Sequence, residues 1–295
     1  MTAYLFPGQG AQFLGMGEAL FPRFPELVAE ADAALGWSVA ETCLADPRRR
    51  LNLTAYTQPA LYVVGCLHYL ALVEERRRRP DVIAGHSLGE YPALFAAGAF
   101  DFVTGLRLVR ERGRIMGQDN DGAMAAVLGL RVFEVERVLA GLGPTEVAIA
   151  TYNGPTQVAL SGPAGEIARL EPLFRGAGAQ AFVLLDISGA FHSPLVAEAR
   201  AEFERVLADV VFDEPAIPVL SNLDARPHTR ARVREALAAQ LTGPVQWTRT
   251  IEAILASGEE DLEEMIFPNV LTGLTQKIRA ELARRTDVPR TMAGA

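Results

Sequence analysis

A serine stands between two glycines in Gly85-His86-Ser87-Leu88-Gly89, directly after the apolar run Val82-Ile83-Ala84 and ahead of a stretch of helical composition, Glu90 to Ala97, that stops at Gly98. A G-x-S-x-G pentapeptide between a strand and a helix is the pattern of a nucleophile elbow. Gly85 and Gly89 let the backbone turn tightly without Cβ clashes, and the turn lifts the Ser87 hydroxyl clear of the sheet. The start of the helix aims unpaired N–H groups and the positive end of its dipole at the same point. The chemistry this suits is acyl transfer, with Ser87 as nucleophile and the Leu88 N–H holding the oxyanion. The plain alternative is a Gly/Ser turn with no chemistry.

A serine nucleophile needs a base, and the sequence has four histidines. His86 adjoins Ser87, so its side chain points away from the serine's. His68 falls in an apolar helical stretch and reads as a packed or surface residue. His228 lies in the polar stretch Ala225-Arg226-Pro227-His228-Thr229 and reads as a loop residue. His192 remains, in Ser188-Gly189-Ala190-Phe191-His192-Ser193, on a Gly-containing turn that follows a strand and precedes a helix opening at Pro194. A histidine leaving a strand there can reach the top of a sheet, with a purely structural histidine as the alternative.

These side chains require a sheet beneath them. Ala3-Tyr4-Leu5-Phe6 and Val82-Ile83-Ala84 read as short buried strands, the first broken by Pro7-Gly8-Gln9-Gly10. Residues 58–73 read as a long apolar helix, and Phe102 to about Met116 as another, with Leu106, Val109 and Arg112 at helical spacing. After Gly122 come strands at 125–130, 146–150, 157–160 and 181–186, helices at 132–139 and 167–176, and a turn at Asn153-Gly154-Pro155. This β-α-β-β-α-β order is the split βαβ, ferredoxin-like pattern. It predicts a small subdomain over 123–189 inserted into a larger α/β subdomain made of 1–122 and 190–295. A strand at 217–220 and helices at 232–241, 247–257 and 270–285 complete the chain.

Composition narrows the function classes. The 28 basic residues against 36 acidic ones give a formal charge of −8, which argues against a general nucleic-acid binder. Two cysteines, Cys43 and Cys66, cannot form a disulfide framework, and no Cys/His cluster has zinc spacing. No secretory signal or membrane span is visible, so a cytoplasmic setting is expected. Lys277 is the only lysine, every other basic side chain being arginine, the better bidentate ligand for carboxylate.

Several spaced motifs together resemble the malonyl-CoA:acyl carrier protein transacylase family over almost the whole chain. They are Phe6-Pro7-Gly8-Gln9-Gly10-Ala11-Gln12, Thr57-Gln58-Pro59-Ala60, Gly85-His86-Ser87-Leu88-Gly89-Glu90, Arg112-Gly113 before Met116, Asn153-Gly154-Pro155 with Gln157, Gly189-Ala190-Phe191-His192-Ser193, and Val270-Leu271-Thr272-Gly273-Leu274. The resemblance is closest to the stand-alone acyltransferases that serve modular polyketide synthases in trans. It implies an α/β-hydrolase-like core with a parallel sheet plus an inserted ferredoxin-like subdomain. It implies Ser87 as nucleophile, His192 as base oriented by the backbone carbonyl of Gln240, and the N–H groups of Gln9 and Leu88 as oxyanion hole. Arg112 then holds the free carboxylate of the malonyl group. Its planar fork suits that task, although composition alone would leave it a surface helix arginine. Phe191 is placed against C2 of the acyl group, where a ring leaves little room for a branch. His86 completes the expected substrate-side set. Gly189 replaces a histidine of many polyketide malonyl enzymes, which leaves slightly larger extender units open.

The implied reaction is ping-pong transfer from malonyl-CoA to the phosphopantetheine thiol of an acyl carrier protein, with no metal or redox cofactor. The same transfer for primary fatty acid synthesis, an acyl hydrolase on the same scaffold, and a non-catalytic docking module are the alternatives. A hydrolase has no need of a cation at Arg112, and a scaffold has no reason to keep Ser87, His192 and Arg112 together. Docking of an acidic carrier would need a local basic patch, such as Arg48-Arg49-Arg50 or Lys277, Arg279, Arg284 and Arg285. One departure stands out. Met265-Ile266-Phe267-Pro268-Asn269-Val270 lacks the glycines many relatives carry before Val-Leu-Thr-Gly-Leu, which puts the geometry of that loop in question.

Overall fold

β1 (Thr2–Phe6) is buried along its whole length, with Ala3 and Leu5 in one apolar cluster and Tyr4 and Phe6 in another. A strand covered on both faces carries apolar residues at every position rather than at alternate ones, which is how it reads in the sequence. The computed structural model that shows this describes residues 2–118, 121–187, 189–266 and 269–286. After β1 come α1 (Pro25–Leu35), α2 (Val39–Leu44), α3 (Thr54–Arg76), β2 (Val82–Gly85), α4 (Glu90–Ala96) and α5 (Phe102–Met116). They are followed by β3 (Gly122–Leu128), α6 (Val132–Ala140), β4 (Ala148–Gly154), β5 (Gln157–Pro163), α7 (Ala164–Arg169), α8 (Glu171–Gly176) and β6 (Ala181–Leu184). The chain closes with α9 (Ala197–Ala208), β7 (Val219–Leu220), α10 (Arg230–Gln240), α11 (Trp247–Ala256), β8 (Asp261–Glu264) and α12 (Val270–Thr286).

Among the described residues the strands form two sheets of four. The first is parallel, in the order β7-β2-β1-β8. The second is antiparallel, in the order β4-β5-β3-β6, and has its own apolar core around Val127, Val135, Leu160 and Phe174. The fold is therefore α/β, a parallel sheet with a separate antiparallel one, as the sequence leads one to expect. A parallel bridge ties β4 of the antiparallel sheet to the segment before α11, in which Tyr152 N donates to Val245 O and Val245 N to Ala150 O, both at 2.9 Å.

Several elements depart from the sequence reading. The helix expected over 167–176 is two helices, α7 and α8, because Pro172 can sit only in a first turn. The strand expected at 146–150 is shifted to β4, so Asn153 and Gly154 are strand residues and the reversal falls at Pro155 and Thr156. The strands expected at 181–186 and 217–220 shorten to β6 and β7. β8 is absent from the sequence reading. Three of its four residues are acidic, which a sheet edge tolerates. There Glu263 pairs with Arg76, and Glu264 turns inward to accept from Leu271 N and Thr272 N at the start of α12.

The parallel register brings the ends of β1 and β2 level, Phe6 opposite Gly85, and His86 N donates to Phe6 O at 2.9 Å. The loops that follow therefore leave the sheet side by side at its carboxyl edge, where ligands bind in open α/β sheets. Their backbones touch. A Cβ on Gly85 would lie 2.0 Å from the Gly89 carbonyl, one on Gly89 2.0 Å from Phe6 O, and one on Gly8 2.4 Å from His86 O. Gly89→Ala must push β1 and α4 apart, so a loss of at least about 2 kcal/mol is expected. The midpoint of urea unfolding measures it, and an unchanged midpoint would refute the contact.

Candidate active site

Ser87 opens a 3-10 turn between β2 and α4 and is held at φ 51°, a left-handed conformation that a serine adopts only under constraint. Asn222 supplies the constraint. Its Oδ1 accepts from Ser87 N at 2.6 Å while its Nδ2 donates to Gly85 O at 2.5 Å. The half-buried Ser87 hydroxyl is consequently fixed above the sheet edge.

His192, also in a left-handed conformation at φ 58°, is 5% exposed and is anchored by a bond from its own N–H to Leu241 O. Its Nε2 lies 2.8 Å from Ser87 Oγ, and its Nδ1 lies 2.8 Å from Gln240 O. A carbonyl can only accept, so Nδ1 carries the proton and Nε2 presents its lone pair to the serine. Burial, followed by the nearby Arg112 charge, pushes the His192 pKa down to about 3. The imidazole is thus neutral at ordinary pH, the state able to take a proton from Ser87.

Arg112 is not a surface residue. It projects from the inner face of α5 and is 1% exposed. One terminal nitrogen donates to Gln58 Oε1 at 2.9 Å, and the other to Gln240 Oε1 at 2.9 Å and to Ser87 Oγ at 3.1 Å. The guanidinium also lies 5.5 Å from the centre of the Tyr91 ring. No carboxylate of the described residues makes an ion pair with it, and its Nε has no hydrogen-bond partner. A buried cation held by neutral amides beside a serine–histidine pair is a fitting receptor for an acyl group that brings its own carboxylate.

The structure therefore brings Ser87, His192, Arg112 and Gln240 together, and Gln240 acts twice, through its backbone carbonyl and its side chain. Leu88 is buried in the 3-10 turn, and Gln9 follows Gly8, whose backbone abuts His86 O. The Gln9 side chain donates to Thr54 Oγ1 at 3.1 Å. Phe191 is 4% exposed within the main apolar cluster. His86 turns away from Ser87, with Nε2 2.7 Å from Asn153 Oδ1 and its ring centre 5.4 Å from that of Trp247, so it links the elbow to β4. His68 accepts from Ile266 N at 2.9 Å. His228 does sit in a loop, but the polar stretch around it misleads. It is 4% exposed, with Nε2 2.6 Å from the buried carboxylate of Glu90.

Asn222, Glu90, His228 and the side chain of Gln58 were not among the expected site residues. Gln58 and Glu90 stand inside quoted motifs, whereas nothing local marks Asn222 or His228. In the loop that lacks glycines, Ile266 and Asn269 themselves adopt positive φ, of 71° and 58°, while Phe267 and Pro268 lie outside the described residues, as does Ser188. Of the basic clusters, Lys277, Arg279, Arg284 and Arg285 are engaged with Gln157, Glu260, Glu281 and Glu252, and Arg48 and Arg49 are exposed. Among the described residues no cluster of side chains could hold a metal ion, and no helix is long and apolar enough to cross a membrane.

Comparison with known proteins agrees with this geometry. A family model described as the acyl transferase domain matches residues 3–290. The polyketide biosynthesis malonyl CoA-acyl carrier protein transacylase BaeC of Bacillus velezensis is 46% identical over 95% of this chain and 98% of its own length. The polyketide biosynthesis protein ThaF of Burkholderia thailandensis is also 46% identical, but this chain spans only 26% of it. The crystal structure of a malonyl CoA-acyl carrier protein transacylase from Burkholderia pseudomallei superimposes with a TM-score of 0.92 at 46% identity, over 95% of this chain and 98% of that one. A malonyl-transacylase solved in complex with its type II polyketide synthase acyl-carrier protein gives 0.89 at 35% identity, over 94% and 92%. The chain belongs to the acyl transferase domain family and, within it, to the malonyl CoA-acyl carrier protein transacylases.

Proposed function

We propose that the protein moves a malonyl group from malonyl-CoA to the phosphopantetheine thiol of an acyl carrier protein through an ester on Ser87. The observation that carries this reading is the buried Arg112 guanidinium, within 3.1 Å of Ser87 Oγ. As the malonyl thioester enters, its carboxylate takes up the donors of Arg112, which sets the thioester carbonyl over Ser87. Ser87 Oγ attacks and His192 Nε2 takes the hydroxyl proton. The backbone amides of Leu88 and Gln9 hold the oxyanion. When the carbon–sulfur bond breaks, the sulfur of coenzyme A leaves with the proton from His192. The carrier thiol then attacks the ester by the same steps in reverse, returning the proton to Ser87. These steps use only side chains, amides and the two thiols, so the reading calls for no metal or redox cofactor.

Binding an anion on Arg112 also offsets the second largest of the causes that depress His192, so the acid-tailed substrate strengthens the base that activates its own attack. Phe191, next to His192, is assigned to the wall beside C2, where a methyl branch would be resisted by about 1–3 kcal/mol. The names of BaeC and ThaF favour a carrier in polyketide biosynthesis, with fatty acid synthesis as the second reading, and a cytoplasmic setting is proposed with either. A hydrolase on the same Ser–His pair is disfavoured because it gives Arg112 no task.

Intact-mass spectrometry after mixing with malonyl-CoA should show one malonyl adduct that Ser87→Ala abolishes. An adduct persisting in that variant would refute the nucleophile. Arg112→Ala should lower malonyl loading by about 10²- to 10⁴-fold, the rate equivalent of losing about 3–5 kcal/mol from a buried ion pair, and undiminished loading would remove the carboxylate clamp. Because His192 stays neutral down to about pH 3, its titration should leave no acid limb in the loading rate between pH 8 and pH 5. The unfolded chain does bind a proton at this histidine below about pH 6.5, so folding stability should fall with pH from there toward 3, at up to about 1.4 kcal/mol per pH unit. Urea midpoints of the wild type and His192→Ala across that range check this contribution, since the variant should lose stability less steeply than the wild type as the pH falls, and equal slopes would refute it.

A further inference from the structure

Glu90 takes no part in these steps, yet it is 1% exposed and its carboxylate gathers three donors from distant segments. Oε1 accepts from Asn222 N at 3.1 Å and from His228 Nε2 at 2.6 Å, and Oε2 accepts from Gln240 Nε2. The Gln240 amide continues the chain. Its Nε2 also donates to Ser87 O at 3.0 Å, and its Oε1 accepts from Arg112 at 2.9 Å. A carboxylate offers only acceptors and a guanidinium only donors. The amide between them has one favourable orientation, nitrogen toward Glu90 and oxygen toward Arg112. Reversing it would set carbonyl against carboxylate and NH2 against guanidinium in a buried site, where opposed polar groups are costly.

We propose that Glu90 is a positioning residue for the acid-tailed substrate: it fixes the Gln240 amide and, through it, aims Arg112 at the carboxylate of the acyl group. The inference rests on the role given to Arg112 above. The other route from Glu90 to the serine passes through Asn222, but that residue clamps Ser87 N and Gly85 O with its own side chain and meets Glu90 only through its backbone N–H. Neutralising Glu90 should therefore fall on recognition of the carboxylate more than on the nucleophile. His228 and Asn222 N hold the carboxylate from the side away from Gln240 and keep it facing the amide.

The test compares the wild type, Glu90→Gln, Gln240→Met and the double variant with two acyl donors. One is malonyl-CoA, followed by adduct formation at Ser87. The other is 4-nitrophenyl acetate, an activated ester without a carboxylate, followed by its nitrophenolate burst. Glu90→Gln should lower the efficiency of malonyl loading at least about tenfold, chiefly by raising the half-saturating concentration, while the burst falls less than about threefold. Gln240→Met should lower malonyl loading at least as much as Glu90→Gln does, and the double variant should be no worse than Gln240→Met alone, since both act on one contact. Equal losses with both donors, additive losses in the double variant, or unchanged malonyl loading would overturn the proposal. If Glu90→Gln does not fold, Glu90→Asp, which keeps the charge but draws it back from the amide, decides by the same criterion, a selective loss supporting the relay and an equal or absent loss refuting it. A wild type that forms no malonyl adduct would instead overturn the function itself, and the inference with it.

Discussion

A guanidinium removed from water costs several kcal/mol unless its surroundings return that energy. At Arg112 the return comes from two amide oxygens, a hydroxyl and an aromatic face, none of them charged. The cation is solvated by these groups without a direct ion pair among the described residues, and the nearest of its donors lies 3.1 Å from the serine oxygen. Much of the architecture serves this arrangement. α3 brings Gln58, α5 carries Arg112, α4 carries Tyr91 and α10 ends on Gln240. The charge of Arg112 helps keep His192 neutral, which links the recognition of charge to the supply of a base.

The second constraint is backbone packing. Gly8, Gly85 and Gly89 let three stretches of main chain approach more closely than any side chain would allow. That closeness sets Ser87 and the Gln9 loop side by side. The left-handed backbone of Ser87 is held by the side chain of Asn222, so the strain at the elbow is supported from the loop after the neighbouring strand β7.

What could be read beforehand follows from where the information lies along the chain. The elbow was legible because its glycines, serine, strand and helix are consecutive. The antiparallel sheet was legible because its strands follow one another in a familiar order. β8 was not, because an edge strand of acidic residues has no apolar alternation to announce it. Arg112 looked like one more helix arginine until motifs elsewhere in the chain gave it a context. Asn222 and the Gln240 amide could not be found from spacing at all, since they lie 135 and 153 positions from the serine they support. His228 misled for a related reason. A polar neighbourhood in sequence implies exposure only when no buried partner such as Glu90 draws the side chain inward.

Gln240 has a consequence for anyone recombining members of this family. One residue at the end of α10 orients the imidazole with its main chain and steadies the guanidinium with its side chain. Acid selectivity and proton transfer are therefore inherited together through a single position. If Phe191 forms the proposed wall beside C2, a graft that exchanges its surroundings while preserving the helix end would change which extender is chosen and leave the catalytic engine intact. A crossover that shifts α10 by one residue would disable both at once.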